Sequence, residues 1–140
     1  MQLGLDACFD LIPGTSSVRG LFIFGKGGIE GLLISIRELA IILPGVAGHI
    51  PGRPLLPGVL MIEAGAQLAS FYTRTYVGWK GFIGFGGVDE VKFRMQVPPG
   101  VRMYILGKKL WERHHRIYCN VQGWVDGNLA FEAGITGTEF

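Results

Sequence analysis

A long apolar segment over residues 57–77 limits the folds open to this chain more than any other feature. Pro57 suits the first turn of a helix, where its missing N–H is no loss, and Gly78 gives a stop signal after the segment. The pattern therefore predicts one helix over 57–77. Apolar residues lie on every face of that helix, which predicts that it is surrounded by protein and not half solvated.

The rest of the chain reads mainly as strands. Four segments after the helix have strand character, at 82–93, 102–112, 116–125 and 128–138, and two before it do, at 17–24 and 31–39. Asp126-Gly127 is a hairpin signal, and Pro98-Pro99-Gly100 marks a second tight connection. Residues 1–13 suggest a short helix that ends at Pro13. Consecutive strands without helices between them predict an α+β fold, in which an antiparallel sheet of five or six strands wraps one helix.

Composition narrows the function classes. The 140 residues are expected to form a single domain, 1–140, and the net charge of +2 is far from that of a dedicated nucleic-acid binder. A hydrophobic content of 49% with 17% charged residues indicates apolar surface kept for a subunit interface or a lipid-like ligand. No segment predicts a membrane span or a secretory signal, so we expect a cytoplasmic protein. Cys8 and Cys119 lie far apart without CxxC spacing, which argues against a disulfide framework or a zinc site.

Two titratable residues are candidates for acid–base chemistry. Glu63 lies in the apolar helix, where we expect it to be buried, and a buried carboxylate is costly unless it is protonated, paired or hydrogen bonded. His49 lies in a loop, 44–57, whose four prolines make it stiff enough to position a side chain. The two could form an acid–base pair. Alternatively, His49 is a structural loop residue and Glu63 a buried acid paired with an arginine.

Two other motifs are weaker candidates for a binding site. The glycine-rich run 25–28 lacks the spacing and the Gly-Lys-Ser/Thr ending of a phosphate-binding loop, so we interpret it as a hairpin turn. His114 and His115 are adjacent and would point to opposite faces of an extended segment, which argues against joint metal ligation. They are interpreted as turn or surface residues.

Residues 48–67 resemble the signature of the β-hydroxyacyl-acyl carrier protein dehydratases, the hot-dog-fold enzymes of bacterial fatty acid synthesis. The segment joins a His-x-Pro-Gly-x-Pro loop at 49–54, a Pro57-Gly58 helix start and a Glu-Ala-x-Ala-Gln core at 63–67. Weaker similarity extends over 32–133 and includes the strand at 87–93. Gly65 departs from the family pattern, which usually has a bulkier apolar residue there, and residues 14–31 are richer in glycine than expected.

The resemblance implies a lyase that dehydrates (R)-3-hydroxyacyl-acyl carrier protein to the trans-2-enoyl product without a metal or a cofactor. It makes His49 the base that removes the Cα proton and Glu63 the acid that protonates the departing hydroxyl. The backbone N–H of Gly58, with Val59 beside it, would receive the thioester oxygen at the positive end of the helix. Gln67, one turn after Glu63, would orient the carboxyl. A related group that also isomerises usually has Asp at this position, so Glu63 favours dehydration alone.

Two other functions stay open, an acyl thioesterase with the same fold and a non-catalytic acyl-binding subunit. The resemblance also implies a homodimer, or a hexamer built from three dimers, with His49 of one subunit beside Glu63 of the other. The expected partner is an acidic acyl carrier protein. Its docking surface would use basic residues of the loop and the strands, although a cluster such as Lys108, Lys109, Arg113 and Arg116 is more often only a solvated surface. The candidates are Arg53, Lys92, Arg94, Lys108, Lys109, Arg113 and Arg116.

Overall fold

The computed structural model describes the backbone of residues 8–10, 19–24 and 29–35, and residues 49–140 in full. In these ranges the chain forms one antiparallel sheet and one α-helix. The elements in chain order are β1 (Cys8–Asp10), β2 (Arg19–Phe24), β3 (Ile29–Ser35), α1 (Gly58–Tyr72) with a π-helical turn (Thr73–Val77), β4 (Ile83–Phe93), β5 (Arg102–Arg113), β6 (Arg116–Val125) and β7 (Asn128–Glu139).

The sheet has the strand order β1-β2-β3-β5-β6-β7-β4, and every neighbouring pair is antiparallel. The predicted α+β class is confirmed. Seven strands are present in the described residues where five or six were expected. The additional strand is β1, which pairs with β2 where a short helix was predicted over 1–13. Sheet pairing overrides the weak local helix pattern there; the remainder of 1–13 lies outside the described residues.

One face of α1 packs on the sheet. Its buried residues recur at helical spacing and include Met61, Ala64, Gly65 and Leu68. The facing side chains come from alternate positions of the strands, so they lie on one surface of the sheet. They include Ile105, Val121, Phe131 and Ile135. The core therefore lies between one side of the helix and one face of the sheet.

The opposite side of α1 is uncovered, which corrects the expectation of a helix surrounded on all faces. Val59 is 69% exposed, and Glu63 and Gln67 are exposed as well. The reason is geometric, because the sheet ends at β4 and does not continue over this face of the helix. Within the described residues, no helix combines the length and apolar character that crossing a bilayer would need.

The predicted turns are confirmed where the structure describes them. Asp126 and Gly127 both have positive φ, +49° and +77°, as a two-residue hairpin turn requires, and they join β6 to β7. His114 and His115 form the corresponding turn between β5 and β6 and thus are turn residues, as expected. Gly78 ends the helical segment with φ +85°. The run 25–28, predicted as a turn between β2 and β3, lies outside the described residues.

Candidate active site

The loop before α1 is anchored at two points. The N–H of Arg53 donates to the carbonyl of Ile50 at 3.0 Å, and Pro51 with Gly52 at φ +73° supplies the centre of this tight turn. The N–H of Leu56, a buried residue, donates to the carbonyl of Val97 at 2.8 Å. His49 is exposed at the start of this loop. The proline pattern thus gives an ordered segment that leads directly from His49 to the helix.

The start of α1 has two notable features, the positive end of the helix dipole and a close approach of an aromatic ring. Pro57 makes no side-chain cap, and the first turn contains no acidic residue. The N–H of Leu60 donates back to the carbonyl of Pro57 at 3.0 Å. The N–H groups of Gly58 and Val59 precede the first intrahelical acceptor, and no acidic residue in the first turn offsets the helix dipole. A Cβ at Gly58 would lie 2.6 Å from the ring of Phe93, so a larger residue would require this half-exposed ring to move aside.

Glu63 and Gln67 form a hydrogen-bonded pair one turn apart. Gln67 Nε2 donates to Glu63 Oε1 at 2.7 Å, which is the contact that their spacing led us to expect. The expected burial of Glu63 is wrong for the single chain, because its side chain lies on the uncovered face of α1. The amide of Gln67 occupies one carboxyl oxygen and fixes the orientation of the group.

Two grooves meet at Glu63, between α1 and β4. The proximal groove, about 260 Å³, is lined by Val59, Ile62, Glu63, Phe85 and Val88. The distal groove, about 170 Å³, shares Glu63 and Phe85 with the proximal one and continues along the helix to Thr73. The carboxyl therefore lies at the junction of two mainly apolar channels. An acid in this position can serve a reacting group at the end of an apolar chain.

His49 lines neither groove in the part of the chain that the structure describes. The structure thus brings Glu63, Gln67 and Val59 to one surface, with Gly58 at the adjoining helix start. It leaves His49 on the loop outside that surface.

Sequence reasoning missed the aromatic wall of the site. Phe85 lines both grooves, and Phe93 covers Gly58. Two irregularities in the pairing of β4 with β7, after Phe85 and after Asp89, shift the side-chain alternation along β4. A strict period of two therefore places Phe85 and Val88 on opposite faces, whereas the irregular strand turns both towards α1.

The basic residues predicted as one docking cluster fall into two groups. The first group lies near the loop at 49–57, where Arg53 donates to the neutral amide of Gln96 at 2.7 Å. Lys92 and Arg94 both pair with Glu132, and the hydrogen bond from Arg94 holds the pKa of that carboxyl below its ordinary value. Two of the three positive charges here are therefore partly neutralised.

The second group lies on the β5–β6 hairpin. Lys109 pairs with Glu112 at 3.5 Å and lies over the ring of Tyr72, 5.7 Å from its centroid. Arg113 lies over the ring of Trp111 at 5.1 Å. Lys108 and Arg116 are exposed on the same hairpin. This group is near the far end of α1 and not near Gly58.

One helix wrapped by an antiparallel sheet, with an acid exposed at the groove beside the edge strand, defines a hot-dog protein. Residues 21–134 match the FabA-like domain family, so the chain belongs to that family. The family and the fold expected from residues 48–67 are therefore confirmed.

Curated relatives are dehydratases. The chain is 36% identical over 89 residues to the 3-hydroxyacyl-acyl-carrier-protein dehydratase FabZ of Desulfotalea psychrophila, an alignment that covers 61% of this chain and 59% of the relative. It is also 36% identical over 104 residues to the FabZ dehydratase of Mannheimia succiniciproducens, covering 72% of this chain and 69% of the relative.

Solved structures share the fold at low sequence identity. The dehydratase heterocomplex ApeI:P of Xenorhabdus doucetiae matches with a TM-score of 0.71 at 13% identity, covering 93% of this chain and 88% of that chain. A mutant thioesterase of Pseudomonas aeruginosa matches with a TM-score of 0.63 at 14% identity, covering 86% and 79%. These likenesses concern the fold alone, because the same fold serves both reactions.

Proposed function

We propose that this chain dehydrates 3-hydroxyacyl groups carried on acyl carrier protein to trans-2-enoyl groups, in fatty acid or related lipid synthesis. The observation that carries the proposal is the Glu63–Gln67 pair at the junction of two apolar grooves. The dehydratase activity named for the curated relatives supports it. The reaction class is a hydro-lyase.

The chemistry needs a base, an acid and a site for a developing negative charge. In the proposed reaction His49 takes the proton from Cα while the thioester oxygen accepts a hydrogen bond from the Gly58 N–H. The electron pair of the broken C–H bond forms the double bond to Cβ. The C–O bond at Cβ breaks as Glu63 protonates the hydroxyl, which leaves as water. The elimination moves protons between the side chains and the substrate and involves no net oxidation or reduction. The step therefore requires no redox cofactor.

Gln67 assists by position. Because its amide binds one oxygen of the Glu63 carboxyl, the other oxygen is left to carry the proton towards the substrate. Val59 and Val88 supply apolar walls beside the reacting carbons. These walls limit competition from water for the proton of Glu63.

We propose a homodimer in which His49 of the partner subunit completes the site at Glu63. Two observations support this arrangement. Among the described residues of one chain, His49 does not line either of the grooves that reach Glu63. The groove region also exposes large apolar side chains, with Phe82 71% and Phe85 54% exposed, beside the edge strand β4. Pairing of two β4 edges would cover both features.

The proposed setting is a single hot-dog domain, 1–140, in the cytoplasm. The proposed partner is an acidic acyl carrier protein that docks through the basic groups around Arg53 and the β5–β6 hairpin. Among the described residues, Arg53 donates to the neutral amide of Gln96 and forms no ion pair with a carboxylate, which supports its part in docking.

The direct test is turnover. The purified protein is incubated with 3-hydroxyacyl carrier proteins of several chain lengths, and the acyl group is followed by mass. Loss of one water without release of the carrier thiol is expected. Release of free thiol would identify a thioesterase instead, and absence of any product with every chain length would remove the proposed activity.

A further inference from the structure

Phe93 lies over the start of α1 with the outer edge of its ring. The Cζ, Cε1 and Cε2 atoms would be 2.6, 2.7 and 3.0 Å from a Cβ built at Gly58. The ring edge therefore occupies the space that a side chain at position 58 would fill. Because the N and Cα atoms of one residue are only about 1.5 Å apart, this edge also lies beside the Gly58 N–H.

The backbone that carries Phe93 is held on both sides of the ring. Phe93 is the last residue of β4 and pairs with Phe131, a fully buried residue of β7. The N–H groups of residues 94 and 95 both donate to the carbonyl of Ala130, at 2.7 and 3.3 Å. An irregularity of β4 shortly before Phe93 redirects the side chains that follow it. A fixed backbone thus directs the ring to Gly58.

The ring itself is not part of the core. Phe93 is 51% exposed and belongs to neither of the two buried clusters among the described residues. It also lines neither groove. The proximal groove reaches Val59, and Phe93 extends this apolar surface past the neighbouring Gly58. Apolar surface left open beside a free N–H group is suited to cover a polar group of a ligand that binds there.

The group proposed to bind at Gly58 is sensitive to water. A hydrogen bond from the Gly58 N–H to the thioester oxygen favours loss of the Cα proton, and it also makes the carbonyl carbon more electrophilic. When water attacks, its oxygen bonds to this carbon and the C–S bond breaks. The products are a free acid and the carrier thiol, each with one proton of the water. An apolar wall at the carbonyl prevents this side reaction by excluding water.

We infer that Phe93 keeps water from the thioester carbonyl held at Gly58, and so suppresses hydrolysis in favour of dehydration. The inference rests on the proposed function, which places the thioester there. Phe93 contributes apolar bulk and no proton, so the reach of its side chain is what matters. The same fold serves dehydratases and thioesterases, so the choice between the two reactions depends on such local features.

The test measures two products from one substrate, 3-hydroxyoctanoyl carrier protein. The enoyl product is followed by mass and the carrier thiol with a thiol reagent. Phe93→Val keeps a strand-forming residue but ends short of Gly58, so the ratio of hydrolysis to dehydration should rise about tenfold. Phe93→Leu, which is larger but also too short, should raise the ratio as well. Phe93→Met is long enough to cover Gly58 and should keep the ratio near the wild-type value. Octanoyl carrier protein has no hydroxyl to lose and measures hydrolysis alone.

Phe140→Ala is the matched control. Phe140 is also an exposed phenylalanine at a strand end, but its ring lies beside Phe82 and lines neither groove. Its removal should leave the ratio unchanged. Melting temperatures show whether each variant is folded.

An unchanged ratio in folded Phe93→Val and Phe93→Leu would overturn the inference, and so would an equal rise in Phe140→Ala. Loss of folding in both short variants would assign the ring to the stability of the fold and overturn it too. A wild-type protein that does not dehydrate, or that releases thiol as its main product, would instead count against the proposed function.

Discussion

At the scale of single residues, the Glu63 carboxyl is both accessible from solvent and held in one orientation. It is exposed in the single chain, so a substrate hydroxyl can reach it, while Gln67 holds it by a hydrogen bond of 2.7 Å. A proton donor must be placed within hydrogen-bond reach of the leaving group, and a side chain fixed by a neighbour loses less freedom when it acts.

Glu63→Gln should lower kcat by about a hundredfold or more, the scale of a lost general acid. The amide has nearly the shape of the carboxyl, and its oxygen can still accept the hydrogen bond from Gln67, so the melting temperature should stay near the wild-type value. Gln67→Ala should cost less than Glu63→Gln, because it removes only the orienting contact. Near-normal turnover of Glu63→Gln would show that another group protonates the hydroxyl.

Gly65 belongs to the packing of the helix on the sheet. A Cβ at this position would lie 2.8 Å from Cγ2 of Val121, a fully buried side chain. We expect Gly65→Ala to destabilise the fold by about 1 kcal/mol net. Overpacking costs about 1–3 kcal/mol, and the better helix propensity of alanine offsets about 1 kcal/mol of it.

Urea unfolding measures this effect. The Ala66→Gly variant gives the difference in helix propensity between alanine and glycine in the same helix. The double variant Gly65→Ala/Val121→Ala should lose less unfolding free energy than the sum of the losses of the two single variants. The reason is that the smaller side chain at position 121 makes room for the new methyl group. A Gly65→Ala protein as stable as the wild type would show that the helix can move away from the sheet.

The sequence predicts Glu63, His49, Gly58 and Gln67 as site residues, because their spacing matches one motif, and it correctly predicted the contact between Glu63 and Gln67. It could not give the exposure of Glu63. The apolar neighbours in the helix suggest burial, but exposure depends on where the sheet ends, and strand order is a long-range property. Nor could it show that Phe93 covers Gly58, since that contact joins β4 to a residue 35 positions earlier by way of an irregular strand.

At the scale of elements, Glu139 joins three parts of the fold. Its carboxylate binds the N–H groups before β4 and also lies 2.9 Å from Nδ1 of His115 in the β5–β6 turn. The hydrogen bond from His115 is the main cause that lowers the pKa of Glu139, followed by the N–H of Gly81.

This lowered pKa predicts a loss of stability in acid. Because the folded state binds the proton less readily, the contribution of Glu139 is complete above the ordinary carboxyl pKa of 4.5 and disappears as pH falls through the lower folded value. The difference in unfolding free energy between wild type and Glu139→Gln should therefore shrink below about pH 4.5.

Urea unfolding across a pH series measures this difference. His115→Ala should reduce its pH dependence, since it removes the main cause of the shift. A difference that stays constant down to the acid end of the series would mean that the contacts of Glu139 do not depend on its charge.

Turn chemistry made several elements predictable. Asp126-Gly127 and Gly78 adopt the positive φ values that their residue types favour. The π-helical turn and β1 were not predictable, since neither has a strong local signal. The turn at 73–77 is held by contacts such as the bond from Arg74 to Gly81, and β1 depends on pairing with β2.

At the scale of the whole molecule, the basic side chains near the loop at 49–57 differ in how far a neighbouring carboxylate compensates their charge. Arg94 and Lys92 share Glu132, whereas Arg53 binds a neutral amide. Arg53 therefore presents more usable charge to an acidic partner than its two neighbours do.

Arg53→Glu should raise KM for carrier-protein substrates by roughly fivefold at low salt, since an exposed pair contributes up to about 1 kcal/mol. KM for a small pantetheine thioester should change little. Lys80→Glu, an exposed charge change at the far end of the groove, is the control. Equal effects on both kinds of substrate would exclude Arg53 from docking and assign it to the structure of the loop.

The central claim is that two chains build each dehydratase site, and mixing two inactive variants tests it most directly. His49→Ala and Glu63→Ala proteins are combined under verified subunit exchange, and dehydration of a 3-hydroxyacyl carrier protein is measured. A two-fold dimer with shared sites regains one intact site per mixed dimer, so roughly a quarter of wild-type activity should return. No recovery despite complete exchange would contradict the account and place His49 and Glu63 of one chain in the same site.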